Sequence, residues 1–334
     1  MDTPLVSIGL LTCNRPLTFT KALNSLITQS YKNIEIIIGD NSSNNESKNV
    51  YMEYANDNRI KYYKHQENIG AIKNFEFTRN MAAGKYFMWT SDDDYWDITF
   101  IEKAVEKLEN DHSAVACWSS IQFFDDDGML DKPSSFKNQD VSKDSIVNSL
   151  IKVNMQTAWF EFYCLAKIDI VKQFNFDSYN TIGSDVIFIN HILLSGKCLM
   201  INEPLFYYYF TSISGFDRHN YKSDIYNEYA RINPYFDFFI KCFQIVLYSN
   251  NLNIFQKINY YLKYWWNIIF IYQNHIIGIN MFPVAKFFQL SIQKKNIDIV
   301  FICMPLIIFL FFRKIINKIK SKIKFLLKIV SRLG

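Results

Sequence analysis

Lys85-Tyr86-Phe87-Met88-Trp89-Thr90, followed at once by Ser91-Asp92-Asp93-Asp94, is the stretch on which the reading of this chain turns. The first six residues are apolar and aromatic and read as a buried strand, and three adjacent carboxylates stand at its end. Like charges crowded into one place cost energy unless a cation neutralises them. Hard oxygen ligands suit Mg2+ or Mn2+, ions that bind substrate phosphates alongside one or two carboxylates. Aspartates at the C-terminal edge of an α/β sheet therefore predict metal-assisted handling of a nucleotide.

On the N-terminal side, strand-like and helix-like segments alternate, the pattern of a sheet with helices on its faces. Leu5 to Leu11 reads as a first strand. Pro16 and Thr18 open a helix with Phe19, Ala22, Leu23, Leu26 and Ile27 at three- and four-residue spacing. Ile34 to Gly39 is a β-branched run that delivers Asp40-Asn41-Ser42-Ser43 to the same sheet edge. Arg59 to Lys64 reads as a third strand, Asn68-Ile69-Gly70 as a turn, and Ala71 to Ala83 as a helix with Gly84 as its C-cap.

On the C-terminal side, Asp97 is expected to cap a helix running to Asn110, and Ala114 to Phe124 with Asp125-Asp126-Asp127-Gly128 reads as a hairpin. That second acidic triplet has a glycine to make it a solvated turn; the first has none. Ser184-Asp185 heads a helix, Val186 to Leu194, ahead of strand-like Lys197 to Ile201 and Leu205 to Phe210. Either residue could be an N-cap. From Tyr221 to Phe288 the chain is rich in Tyr, Phe, Trp and Ile at helical spacing and reads as a helical annex in which Trp265 and Trp266 are core or interface anchors rather than sugar-stacking platforms.

With 334 residues, 49% of them hydrophobic and 17% aromatic, the chain can bury a large core, which excludes disorder and a disulfide-stapled mini-fold. Cys13, Cys117, Cys164, Cys198, Cys242 and Cys303 show no metal-ligand spacing and read as reduced residues. Eight Lys or Arg and no acid lie between Arg313 and Gly334, so the +4 of the whole chain leaves −4 for everything before it. An acidic body argues against nucleic acid as a partner. Ile299 to Phe312 is uncharged over fourteen residues, about 21 Å as a helix, short of a bilayer core of about 30 Å. Beyond it Ile315, Ile319, Ile323, Leu326 and Val330 alternate with lysines as in an amphipathic helix on an anionic membrane surface. No export signal is visible, which predicts a cytoplasmic protein attached peripherally to the inner face of the cell membrane. The expected organisation is an α/β domain over 1–214, a helical annex over 215–296 and a membrane-associating tail over 297–334.

Taken in order, Val6-Ser7-Ile8 to Asn14-Arg15-Pro16, Leu26 to Tyr31, Glu35 to Ser43, Glu67-Asn68-Ile69-Gly70, Thr78-Arg79-Asn80, Gly84-Lys85-Tyr86 and Ser91 to Asp94 resemble the family 2 glycosyltransferases over roughly residues 4 to 210. The resemblance implies the GT-A fold, a nucleotide-binding α/β sheet with helices on both faces. It also implies inverting transfer of a sugar from a nucleotide donor. It sets Asp40 against the donor's base, lines the nucleotide pocket with Thr12, Cys13, Asn14, Asn68 and Arg79, and puts Asp92 near the ribose or sugar. Asp93, with Asp94 beside it, would hold Mn2+ or Mg2+. Asp185 would be the general base, with Ser184 standing where the family has Glu, as Ser91 stands for a first aspartate. No Gln-x-x-Arg-Trp element follows, which favours one sugar per binding event.

A lipid-linked or surface-glycan acceptor follows from the expected membrane tail. A nucleotidyltransferase would be expected to carry a glycine-rich basic loop, and Leu10 to Pro16 has no Gly and only Arg15. A non-catalytic membrane-bound scaffold would need none of the aspartates.

Overall fold

The computed structural model describes residues 3–130, 138–156, 160–179, 181, 183–210 and 234–274, with side chains in the last stretch over 237–264. The chain forms two compact units, Met1–Lys222 with Ser249–Leu252, and Ser223–Tyr248 with Asn253–Gly334. The sequence-based boundary at 214, the apolar run from Ile299, the amphipathic tail, Cys303 and the side chains of Trp265 and Trp266 lie outside the described residues.

Among the described residues the first unit is built on a nine-stranded sheet. Its opening half alternates strand and helix as expected: β1 (Val6–Thr12), α1 (Pro16–Ile27), β2 (Ile34–Asp40), α2 (Glu46–Glu53), β3 (Ile60–Lys64), α3 (Ala71–Asn80) and β4 (Tyr86–Ser91). Then come β5 (Tyr95–Trp96), α4 (Phe100–Asn110), β6 (Ala114–Asp125), β7 (Gly128–Leu130), α5 (Ile146–Asn154), β8 (Leu165–Lys167), α6 (Ile168–Gln173), α7 (Ser184–Ser195) and β9 (Lys197–Tyr209). The strand order is β3-β2-β1-β4-β8-β6-β9-β5, with β7 hairpinned on β6. The strands β3, β2, β1 and β4 are mutually parallel, β8 runs antiparallel to both β4 and β6, and β9 pairs parallel with β6.

Strand alternation divides the core between two faces. Val6, Ile8 and Leu10 with Ile34, Ile36 and Ile38 are buried in one cluster with Phe19, Ala22, Leu23 and Leu26 of α1 and Phe100, Ile101 and Ala104 of α4. On the other face α3 comes so near that only glycine fits below it. Asn74 Nδ2 donates to the Gly39 carbonyl at 2.8 Å, and a methyl group at Gly39 would collide with the Asn74 side-chain oxygen. Trp89 anchors this face: it is 1% exposed, stacks on Phe162 at 5.2 Å and meets the edges of Phe75, Phe87, Phe176 and Phe188. Its indole N–H donates to the Phe75 carbonyl at 3.0 Å.

Three local expectations are corrected. Helix α3 stops at Asn80 with Met81 as its C-cap; Gly84 is needed instead because a Cβ there would lie 2.7 Å from the Leu5 carbonyl oxygen. Asp97 does not cap α4, whose N-cap is Thr99. Its carboxylate accepts from the Thr99 N–H at 2.8 Å and builds the preceding turn. Lys197 to Tyr209 is one irregular strand rather than two, with register shifts around Ser120 on its partner β6. The second acidic triplet is a turn as expected, Asp125 Oδ1 accepting from the N–H groups of Asp127 and Gly128 at 2.9 and 3.1 Å.

In the second unit α8 (Pro234–Tyr248) and α9 (Ile254–Asn274) are joined by an aromatic seam, Phe243 meeting Tyr260, Tyr261 and Tyr264 with ring centroids 4.9 to 5.8 Å apart. Among the described residues no helix is long and apolar enough to cross a membrane. The described cysteines form no disulfide, and Cys117, Cys164, Cys198 and Cys242 are buried.

Candidate functional site

Parallel pairing fixes which residues meet at the C-terminal edge. Leu11 lies in register with Gly39 on one side and Ser91 on the other, Thr12 with Asp40, and Asp40 with Lys64. Three loops leave the sheet there, the position at which open α/β sheets bind ligands.

The loops are sewn together by side chains. Asp92, 4% exposed, accepts at Oδ2 from the Thr12 hydroxyl at 2.9 Å and from the Cys13 N–H at 3.1 Å. Asn14 adopts a left-handed φ of 54°, which an Asn tolerates better than most residues. Its Oδ1 accepts from the Ser43 N–H at 3.0 Å. Asn41 ties the end of β2 to the turn that follows β3, accepting from the Ile69 N–H and donating to the Gly70 carbonyl. Asn68 Nδ2 lies 3.7 Å from Cys13 Sγ. Thr12, Cys13, Asn14, Asp40, Asn68, Asp92 and Asp93 are thus gathered at one edge.

Arg15, to which the sequence assigned no role in the site, joins them. Its Nη1 lies 3.2 Å from Asp92 Oδ1 and 2.7 Å from Asp93 Oδ2. The crowded carboxylates therefore have a cationic partner within the chain. Asp93 also accepts from the Ser91 hydroxyl at 2.5 Å. Burial pushes the Asp92 carboxyl up to about 6, against the opposing pull of Arg15.

Three expected site residues stand differently. Asp40 is fully buried, and its oxygens accept from the Ser42 N–H at 2.7 Å and the Tyr62 hydroxyl at 2.5 Å. A base N–H would have to compete with Tyr62, a residue the sequence reading did not select. Asp94 turns inward: Oδ1 accepts from the Tyr209 N–H at 3.0 Å, clipping the end of β9, while Oδ2 is buried without a hydrogen-bond partner. Burial and the neighbouring Asp93 hold its carboxyl well above the ordinary range. Asp94, expected beside Asp93 as a metal ligand, thus has one oxygen engaged by the end of β9 and the other buried. Arg79 is buried beneath the sheet with Nη1 donating to the carbonyls of Phe174 at 2.6 Å and Val171 at 3.4 Å. It fastens α3 to the segment around α6. Arg79→Met is expected to leave nucleotide affinity unchanged while lowering unfolding stability by about 1–3 kcal/mol, the cost of stranding buried carbonyls. Denaturant titration beside nucleotide titration checks both halves.

Asp185 lies in the first turn of α7, whose N-cap is Gly183 with no side-chain cap. It is therefore not the cap its position allowed. Burial pushes its carboxyl up to about 6, eased by the N–H groups of Val186 and Asp185 itself. Tyr163, which the sequence did not single out, lies within electrostatic reach of Asp93, Asp94 and Asp185. Burial raises its hydroxyl well above its ordinary value, and the charges of Asp94, Asp93 and Asp185 add to the rise.

A divalent cation fits this edge only with outside help. Asp93 offers hard carboxylate oxygens held by a hydroxyl and by a guanidinium whose side chain is 37% exposed. Among the described residues no group of three or more His, Cys, Asp or Glu is placed to hold an ion unaided. Ions of this class commonly complete their shell with substrate phosphates and water.

The sequence model of Glycosyl transferase family 2 matches residues 7–206. An uncharacterized glycosyltransferase of Methanocaldococcus jannaschii, MJ1057, is 30% identical over 149 residues, 43% of this chain and 51% of that protein. The glycosyltransferase GlyA of Streptococcus pneumoniae is 28% identical over 204 residues, 56% of this chain and 28% of that protein. The chain thus spans about half the length of the first of these relatives and less of the second. Among solved structures, S. aureus TarS 1–349 in complex with UDP-GlcNAc aligns with TM-score 0.62 at 14% identity, covering 85% of this chain and 80% of that one. Mannosyltransferase PcManGT from Pyrobaculum calidifontis, in complex with GDP-Man and Mn2+, gives 0.51 at 13% identity over 88% and 76%. At these identities the likeness speaks for the fold.

Proposed function

The chain belongs to glycosyl transferase family 2, and on that premise we propose that it moves one sugar at a time, with inversion, from a nucleoside diphosphate donor to a hydroxyl of a lipid-linked or surface-polysaccharide acceptor. The observation that carries this reading is the meeting of Thr12, Cys13, Asn14, Asn68, Asp92 and Asp93 on one sheet edge. The donors bound by the TarS and PcManGT structures support the donor class, and the Mn2+ of the latter supports a divalent cation.

The Thr12–Asn14 loop and Asn68 bind the nucleotide, and the Asp40–Tyr62 pair bounds the base. Asp92 keeps the loop closed against β4. Mn2+ or Mg2+ at Asp93 would supply neutralisation of the charge that grows on the leaving diphosphate. As the acceptor oxygen bonds to the anomeric carbon and the sugar–phosphate bond breaks, Asp185 takes the acceptor's proton. Residues 297–334 hold the enzyme on the inner membrane surface where lipid-carried acceptors reside.

Asp93→Ala protein is expected to stay folded and to lose at least about tenfold in nucleoside diphosphate affinity in the presence of Mn2+, equivalent to about 1.4 kcal/mol. Calorimetric titration with and without Mn2+ measures it. Unchanged Mn2+-dependent affinity would remove Asp93 from the donor site, and product analysis with a panel of nucleotide-sugars tests the transfer itself.

A further inference from the structure

We propose that Arg15 is a positioning residue that couples cation binding to diphosphate binding. Without a donor it neutralises Asp92 and Asp93. It gives up Asp93 to a divalent cation when a diphosphate is present to take the guanidinium. The inference rests on the nucleotide-handling reading above and adds a residue and an order of events to it.

One nitrogen, Arg15 Nη1, serves both carboxylates, at 3.2 Å from Asp92 Oδ1 and 2.7 Å from Asp93 Oδ2. The two aspartates are not equivalent. Asp92 is tied at its other oxygen to Thr12 and Cys13 and is nearly inaccessible, whereas Asp93 has the more open side chain, 17% exposed against 5%. A cation entering at Asp93 would share Oδ2 with a guanidinium already in contact with it. Two positive groups on one oxygen repel strongly at such range. A cation alone therefore has to displace the shorter of the two ion pairs of Arg15 and leave it only the 3.2 Å contact with Asp92.

A diphosphate removes that obstacle. Its oxygens match the donor fork of a guanidinium. Arg15 is well placed to turn towards it, being the residue just before Pro16 at the start of α1, with 37% of its side chain exposed. The backbone carbonyl of Arg15 accepts from the Phe19 N–H at 3.0 Å, so the main chain stays anchored while the side chain swings. Cation and diphosphate each make room for the other, which is positive coupling between two ligands.

The test titrates the intact protein with Mn2+, reading free ion by electron paramagnetic resonance, alone and with UDP, GDP, ADP or dTDP. The expected result is that the bound nucleotide tightens Mn2+ binding by about 10- to 100-fold. Arg15→Gln is expected to bind Mn2+ alone more tightly than the unsubstituted chain and to lose most of the coupling. Arg15→Lys, which keeps the charge without the fork, is expected to retain part of it. Absence of coupling in the unsubstituted protein overturns the inference without recourse to any variant. Coupling that persists undiminished in Arg15→Gln overturns it too, and leaves the donor-site reading standing. If no nucleoside diphosphate binds with or without Mn2+, the donor-site reading fails and this inference with it.

Discussion

Asp185→Asn protein is expected to bind nucleoside diphosphate as the unsubstituted chain does and to transfer sugar about 100- to 10,000-fold more slowly, the usual worth of a positioned general base. The amide keeps the shape of the carboxylate and cannot take the proton. Its environment also sets the pH dependence. Burial raises the Asp185 carboxyl to about 6, so the basic form prevails above that pH, and kcat/KM is expected to fall about tenfold per unit below it. The same shift has a cost for the fold. A carboxyl whose pKa is higher folded than unfolded contributes most to stability while protonated, and that contribution is lost as pH rises from its ordinary value through about 6. Near pH 7 the asparagine variant should therefore melt no lower than the unsubstituted protein. A slow variant with lowered melting temperature and weakened nucleotide binding would point to a structural role for Asp185 instead.

Trp89→Ala is expected to destabilise the first unit by about 3–5 kcal/mol, the range for emptying a large aromatic site. Against total stabilities of about 5–15 kcal/mol this is severe. The reason lies in how many elements share the indole: rings from α3, β4, α7 and the segments around Phe162 and Phe176 all touch it. Its N–H also satisfies the Phe75 carbonyl. Trp89→Phe should recover much of the packing and none of that hydrogen bond. Urea titration of both variants measures the loss, and a shift below about 1 kcal/mol for the alanine form would contradict the packing account.

The elements legible in the sequence were those whose burial is continuous or periodic. Strands β1, β2 and β4 are apolar runs, and α1 shows its buried stripe of Phe19, Ala22, Leu23 and Leu26 directly. Since strand ends were legible, so was the arrival of Asp40 and Asp92 at one edge, whereas Thr12 was reached only through the family resemblance. What stayed hidden depended on contacts across long stretches of chain. Arg15 meets Asp93 only because β1 and β4 are neighbours. Three adjacent aspartates look equivalent as letters, yet their directions diverge once the chain turns. Asp92 faces the β1 loop, Asp93 faces Arg15, and Asp94 faces the end of β9. Arg79 sat within a motif, but the stripe of α3 did not reveal that its guanidinium would be consumed by the carbonyls of Val171 and Phe174. Tyr62 and Tyr163 gave no signal, because a tyrosine in an aromatic-rich chain is ordinary until its neighbours are known.

The approach of α3 to Gly39 has a genetic consequence. Every amino-acid replacement available by a single base change in a glycine codon adds at least one carbon to the backbone, and at this position the space is already filled by the Asn74 side chain. Gly39 thus has no conservative neighbour in the code. A replacement at Gly39 therefore requires the Asn74 side chain to shift from its bond to the Gly39 carbonyl, so the two codons do not mutate independently.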